Sequence, residues 1–305
     1  MLKYIIGRLL GIIPVLWVLA TITFFLVRLA PGSPFDSEKA VSPEILAHLK
    51  AKAGFDEPLP MQYLIYMKNL LQGDLGPSFR YTNLSVNEAI ATALPVTMQL
   101  GLCGLIYAII LGFGLGMFAA TKPNTLRDYG SMGFSLLGVC MPSFMIGPLL
   151  MLLFAIKLRW FNVSGWETWK DMVLPSLTLG TIFAAYFSRL VRVGFLDILN
   201  QDFIKTAKAK GLSARRIFLL HAAKGGVLPA VSFLGPATAS ILSGSLVVET
   251  VFNIPGIGRF FIQSAFNRDY GMIIGTTLVY GVMLILLNVV VDVAYALLNP
   301  KVRYD

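Results

Sequence analysis

The sequence predicts an all-α polytopic membrane protein with six transmembrane helices, and three observations carry that prediction. Only 13% of its 305 residues are charged, about half the share that coats a water-soluble domain. Hydrophobic residues make up 56% of the chain. They gather into blocks of roughly 20 residues, the length that spans a hydrocarbon core of about 30 Å.

The predicted spans are 9–29, 97–119, 131–156, 173–193, 230–252 and 272–298. The first is expected to stay as a helix rather than be cleaved as a signal peptide. It is too long for a leader, runs to Arg28 and lacks a small-residue cleavage site. Lys3 and Arg8 precede it, which places the N-terminus inside. With six spans, Lys122 and Arg127 also fall inside, as do Arg189, Arg192, Lys205, Lys208, Lys210, Arg215, Arg216 and Lys224. Lys301 and Arg303 end the chain on the same side. The short outside loops carry fewer basic residues, so the chain reads as N-in and C-in. Three regions follow: an N-terminal span over 1–30, an external segment over 31–96, and a five-helix core over 97–305 with a cytoplasmic loop at about 194–229.

The external segment is too polar to cross and has its own helix signals. Ser42-Pro43-Glu44 reads as an N-cap followed by a first-turn proline. Pro60 opens an amphipathic stretch that ends before Gly73. Ser85-Val86-Asn87-Glu88 reads as a capping box for a short third helix. This segment either packs against the spans or offers a docking surface on the outer face.

Composition excludes several functions. The net charge of +9 follows from basic cytoplasmic loops and gives no reason to expect nucleic acid. Cys103 and Cys140 both lie in apolar stretches, and His48 and His221 are far apart. Neither a disulfide framework nor a metal site is readable. The sequence contains no G-x-x-x-x-G-K-[ST], so a P-loop is absent and any ATP hydrolysis belongs to another chain. A membrane enzyme would show a clustered nucleophile or metal set, and an ion-coupled transporter mid-membrane carboxylates. The spans offer only Glu249 near the outer end of the fifth and Asp292 toward the inner end of the sixth. Arg189 and Arg192, at the inner end of the fourth span, are expected to snorkel to the interface. Gly112 and Gly116 form a small-xxx-small face, with Gly101 and Gly104 earlier on the same span. Pro142 and Pro148 should kink or break the third span.

The loop over 194–229 is the most informative stretch. It reads as a short helix with small residues Ala207 and Ala209, a break at Gly211-Leu212-Ser213, and a second helix with Ser213 as N-cap. Such a helix suits insertion into a groove on another protein. It equally suits a basic amphipathic helix on anionic lipid. Gly211 is expected to take positive φ.

Lys205-Thr206-Ala207, three residues, then Gly211 resembles the EAA loop of ABC-importer permeases, generically Glu-Ala-Ala, three residues, Gly. Lys205 replaces the Glu, Thr206 replaces the first Ala, and the run from Gly211 to Leu228-Pro229 is longer than the generic spacing. The peptide branch of the family is similar to this variant. Further landmarks point the same way: Arg28-Leu-Ala-Pro-Gly-Ser-Pro-Phe35, Gly73-Asp-Leu-Gly-Pro-Ser-Phe79, Glu249-Thr-Val-Phe-Asn-Ile-Pro-Gly-Ile-Gly258, Asn267-Arg-Asp-Tyr270 and Asn299-Pro-Lys-Val-Arg-Tyr304.

The resemblance covers the whole chain. It implies a type I ABC-importer permease fold in the bacterial inner membrane, translocating oligopeptides by alternating access. It implies a second permease subunit of the C type, two ATP-binding subunits, an extracytoplasmic peptide-binding protein and surrounding lipid as partners, with no cofactor in this chain. Lys205, Thr206, Ala207, Lys210 and Gly211 would contact the ATPase. Glu249, Asn253, Pro255, Gly256 and Gly258 are candidates for the pathway or its outer mouth, or make a plain loop. Dipeptide, nickel and oligosaccharide importers share this plan, so the cargo stays open among them.

Overall fold

The computed structural model describes residues 2–30, 57–81 and 84–298. Eleven helical elements account for most of these residues: α1 Leu2–Leu29, α2 Leu59–Leu71, α3 Val86–Thr121, α4 Leu126–Cys140, α5 Ser143–Lys157, α6 Trp169–Leu199, α7 Asp202–Ala209, α8 Ala214–Gly226, α9 Leu228–Val251, α10 Ile257–Asn267 and α11 Tyr270–Leu298. Among the described residues the only strand-like pairing is a single bridge between Pro77 and Ser85. The helix expected at Ser42-Pro43-Glu44 and the landmark after Asn299 lie outside the described residues.

By length and apolarity, α1, α3 and α11 qualify outright as spans, and the pairs α4–α5 and α8–α9 qualify as bent ones. Helix α6 has 31 residues, about 46 Å at 1.5 Å per residue, but is more polar. Its Ser176, Thr178 and Ser188 are buried. The Thr178 and Ser188 hydroxyls donate to the Leu174 and Ala185 carbonyls at 2.8 and 2.9 Å, so that part of the polarity is met inside the protein rather than offered to lipid.

Contacts divide the chain into two units. The first is built on Met1–Thr97 and Pro255–Val289. Pro60 starts α2 as expected, and Gly73 beyond its end takes φ +79. Helix α2 lies along α1: Arg28 Nε donates to Gln62 Oε1 at 2.8 Å, Thr21 shares a 2.7 Å hydrogen bond with the Tyr63 hydroxyl, and Phe24 packs against Tyr63 and Tyr66. Burial pushes the Tyr66 phenol above its ordinary pKa. The described part of the external segment thus packs on the spans. Its capping box forms, with Ser85 N–H on Glu88 Oε2 at 3.0 Å and Glu88 N–H on Ser85 Oγ at 3.2 Å. It starts no separate short helix, however. The helix runs on through Pro95 for 36 residues as α3.

Two sequence landmarks meet at Asp269, which is 1% exposed. The Ser78 hydroxyl donates to its Oδ2 at 2.5 Å, and the N–H groups of Phe79, Arg80 and Met272 also point at the carboxylate. Asp269 therefore caps α11 and holds the 73–81 loop at once.

The second unit is built on Met98–Ile254. Its central helix is α6, packed against α4, α5, α8 and α9. The N-terminal end of α6 is capped by Asp171. Its carboxylate accepts from Asn162 at 2.5 Å and from Thr168 N–H at 2.7 Å. These donors, Asn162 first, hold the Asp171 carboxyl below its ordinary pKa. The expected third span is broken at Met141-Pro142, where α4 and α5 meet at 109°. Proline removes the N–H that would continue the ladder. From Met151 to Lys157, α5 is wound as a π-helix, as is α8 from Ile217 to Ala222.

Candidate functional site: the loop between α6 and α9 and its support

Helix α7 follows α6 after Asn200-Gln201. Asp202 stands in its first turn, where a negative charge suits the helix dipole. Ile204 is fully buried and Ala207 nearly so, so this edge faces the chain's own core beside Phe195, Ile198 and Phe218. Burying one isoleucine there contributes about 2 kcal/mol. The opposite edge carries Asp202, Lys205, Thr206 and Ala209, all exposed. Lys205 Nζ pairs with Asp202 Oδ1 at 2.8 Å, and the Thr206 hydroxyl donates back to the Asp202 carbonyl at 3.1 Å.

The helix stops because of Gly211. Its φ of +78 is a left-handed conformation that glycine adopts at little cost. Gly211 N–H bonds the Lys208 carbonyl at 3.0 Å, and Leu212 N–H reaches the Ala207 carbonyl at 3.3 Å. These two bonds make a Schellman stop. Leu212 then turns into the same core. Ser213 precedes α8 as expected, but with no side-chain capping bond. Behind the loop, Phe195 stacks on Phe218 at 4.6 Å. A side chain at Gly194 would strike the Gly226 carbonyl, so α6 and α8 approach backbone to backbone.

The structure therefore gathers Lys205, Thr206, Lys210 and Gly211 on an exposed helix and its stop, and turns Ala207 inward. Lys208, Arg215, Arg216 and Lys224 are exposed on the same loop. A cavity of about 660 Å³ lies between this loop and the α3–α4 turn, lined by Thr121, Asn124, Leu199, Lys208, Leu212 and Phe218 among others.

One supporting contact has no sequence signal. Arg192 does not snorkel. Its Nε and Nη2 grip the Asp128 carboxylate at 2.5 and 2.6 Å, and Asn124 N–H adds a third bond at 2.9 Å. Asp128 is 1% exposed. The bidentate pair ties the start of α4 to the C-terminal half of α6. Arg189 is exposed.

Gly112 and Gly116 face α6. A Cβ on Gly112 would sit 2.6 Å from the Ala184 carbonyl oxygen, and one on Gly116 2.5 Å from that of Ser188. The outer candidates divide between the two units. In the second, Glu249 is fully buried and Asn253 ends α9 with φ +51. Ile254 N–H on the Glu249 carbonyl at 2.8 Å and Asn253 N–H on that of Thr250 at 3.3 Å complete another Schellman stop. In the first unit, Pro255 is exposed, Gly256 and Gly258 are buried, and Ile257 N–H bonds Thr97 Oγ1 at 2.9 Å to fix the start of α10.

Comparison with known proteins agrees with this architecture. Residues 112–304 match the family described as "Binding-protein-dependent transport system inner membrane component", and residues 1–101 match its N-terminal companion. The chain is 47% identical to the oligopeptide transport system permease protein OppB of Haemophilus influenzae, over 100% of both chains. It is 45% identical to OppB of Escherichia coli K12 over the same share, and 39% identical to the dipeptide transport system permease protein DppB of Bacillus subtilis, over 99% of this chain and 98% of that one. Among solved structures, it superposes on a chain of the inward-facing MetNI methionine ABC transporter with a TM-score of 0.57 at 14% identity. That match covers 69% of this chain and 96% of the other. A chain of an amino acid ABC transporter gives a TM-score of 0.54 at 14% identity, covering 68% and 92%. Matched along its whole length and folded like these transporter chains, the protein belongs to the family of binding-protein-dependent transport system inner membrane components.

Proposed function

We propose that this chain is a permease subunit of an ATP-driven oligopeptide importer in the bacterial inner membrane, crossing it six times with both termini inside. The observation that carries the reading is helix α7, a two-turn helix with one edge anchored in the core and the other exposed. Membership of the family and the names of its full-length relatives supply the cargo class. The partners are a second permease, two ATP-binding subunits and an external peptide-binding protein. ATP is handled by those other chains.

The geometry supports a mechanical role. Lys205, Thr206, Lys210 and the Gly211 stop meet an ATPase subunit, and Ala207 seats the helix on its own core. When ATP closes the ATPase pair, α7 is displaced. Helix α6 follows because only Asn200 and Gln201 separate the two, and α4 follows α6 through Arg192–Asp128. The spans then exchange inward- and outward-facing arrangements, to the extent that ATP binds one arrangement better than the other. A dipeptide cargo is the second reading, favoured by the 39% identity to DppB.

The test is reconstitution of this chain with its partner chains in liposomes, reading ATP hydrolysis and uptake of labelled peptide. Peptide should stimulate hydrolysis, and Gly211→Pro should uncouple hydrolysis from uptake in a complex that still assembles. Uptake that persists without any ATPase chain and tracks a proton gradient would overturn the reading.

A further inference from the structure

The break between α4 and α5 sits at an unusual depth. Along α6, Asp171 near the outer end and Arg192 near the inner end lie about 32 Å apart, at 1.5 Å per residue. That matches the thickness of a hydrocarbon core. A Cβ on Gly138 would touch Thr181 of α6, close to the midpoint of that interval. The chain turns by 109° one helical turn later.

The turn leaves main-chain groups without helical partners. Met141 N–H still reaches the Leu137 carbonyl at 3.1 Å. Pro142 has no N–H for the Gly138 carbonyl. Among the described residues no hydrogen bond reaches the carbonyls of Val139 or Cys140, because the N–H groups that would meet them in an unbroken helix, those of Ser143 and Phe144, lie past the bend as the first amides of α5. Cys140 and Pro142 are exposed and Val139 and Met141 partly so, so the described residues of its own unit do not cover the break. Hydrocarbon cannot cover it either. Each unmet backbone group in lipid costs several kcal/mol, and irregular backbone at that depth survives only within protein or beside water.

We propose that this break is a main-chain binding station on the translocation path, where the Val139 and Cys140 carbonyls accept hydrogen bonds from the backbone N–H groups of an extended peptide. The station rests on the oligopeptide reading and deepens it. Backbone N–H groups occur in peptides of almost any sequence, so carbonyl acceptors hold a peptide without selecting its side chains. Between cargoes, water takes the same bonds.

Cys140 is a native reporter of the site. In the complete importer in lipid nanodiscs, with Cys103→Ala in this chain, an anionic methanethiosulfonate that does not enter lipid should modify Cys140, read as the mass of this chain. A transported peptide at saturation should slow the modification several-fold. No adduct on the native complex, although the denatured chain reacts, would overturn the proposal by placing the break against lipid or the partner permease. An adduct rate that peptide leaves unchanged would overturn it equally. Pro142→Ala restores an N–H toward the Gly138 carbonyl and should slow peptide uptake several-fold in a complex that still assembles; unchanged uptake would count against the station. Peptide uptake by the Cys103→Ala complex in liposomes separates the two levels. Loss of uptake removes the importer reading and the station together, whereas intact uptake without peptide-sensitive labelling removes the station alone.

Discussion

A carboxylate that is 1% exposed needs partners, and Asp128 has a bidentate arginine and a backbone N–H. Replacing it with Asn leaves the Arg192 guanidinium half-buried without its counter-charge. The expected loss is about 3 kcal/mol, read as a lowered thermal midpoint of the purified chain in detergent. Arg192→Lys keeps the charge but not the two-pronged grip, and should fall between Asp128→Asn and the parent. Equal midpoints for all three would remove the pair from the fold's support. The sequence did not signal this contact. The partners are 64 residues apart, and an arginine near a helix end has the same local pattern whether it snorkels or binds a buried acid. The break at Gly211 was legible, because a helix stop that needs positive φ leaves a glycine in the chain. The inward turn of Ala207 was not, since a small residue fits either side of a two-turn helix.

At the scale of elements, the long helices were legible from apolar runs, and their joints less so. The capping box at Ser85 and Glu88 correctly marks a helix start. No glycine or turn cluster separates it from the next span, and Pro95 bends a helix more readily than it ends one. The 36-residue α3 is the result. Pro142 acted as expected of a helix breaker, but sequence gives no angle. Contact between α3 and α6 depends on bare backbone. Gly116→Ala should therefore destabilise by about 1–3 kcal/mol, as overpacking does. On the same helix, a Cβ at Gly114 would meet nothing within 4 Å. Gly114→Ala should be neutral, or stabilising by up to about 1 kcal/mol. Thermal midpoints of the two variants decide the matter, and equal effects would show that close approach at Gly116 is not what limits the packing.

At the scale of the whole molecule, charge is sparse and unevenly placed. The loop around α7 exposes Lys205, Lys208, Lys210, Arg215, Arg216 and Lys224, opposed mainly by Asp197 and Asp202. A partner seated there is expected to present acidic groups, and part of its hold would weaken as salt screens them. ATPase chains bound to the reconstituted permease should therefore wash off more readily at about 0.5 M salt than at about 0.05 M. Indifference to salt would assign their hold to the apolar side chains of the loop, such as Phe203, instead.

The π-wound stretch from Ile217 to Ala222 lies between the Gly211 stop and α9. A π-turn stores a residue that an α-turn of the same height does not need. Rewinding it as α-helix would rotate the segment ahead of it by about 100° and advance it by about 1.5 Å. Intermediate windings would lose hydrogen bonds of both kinds. A push on α7 that reaches this stretch would therefore meet a one-residue click rather than a spring, and its displacement would come in a whole step or not at all.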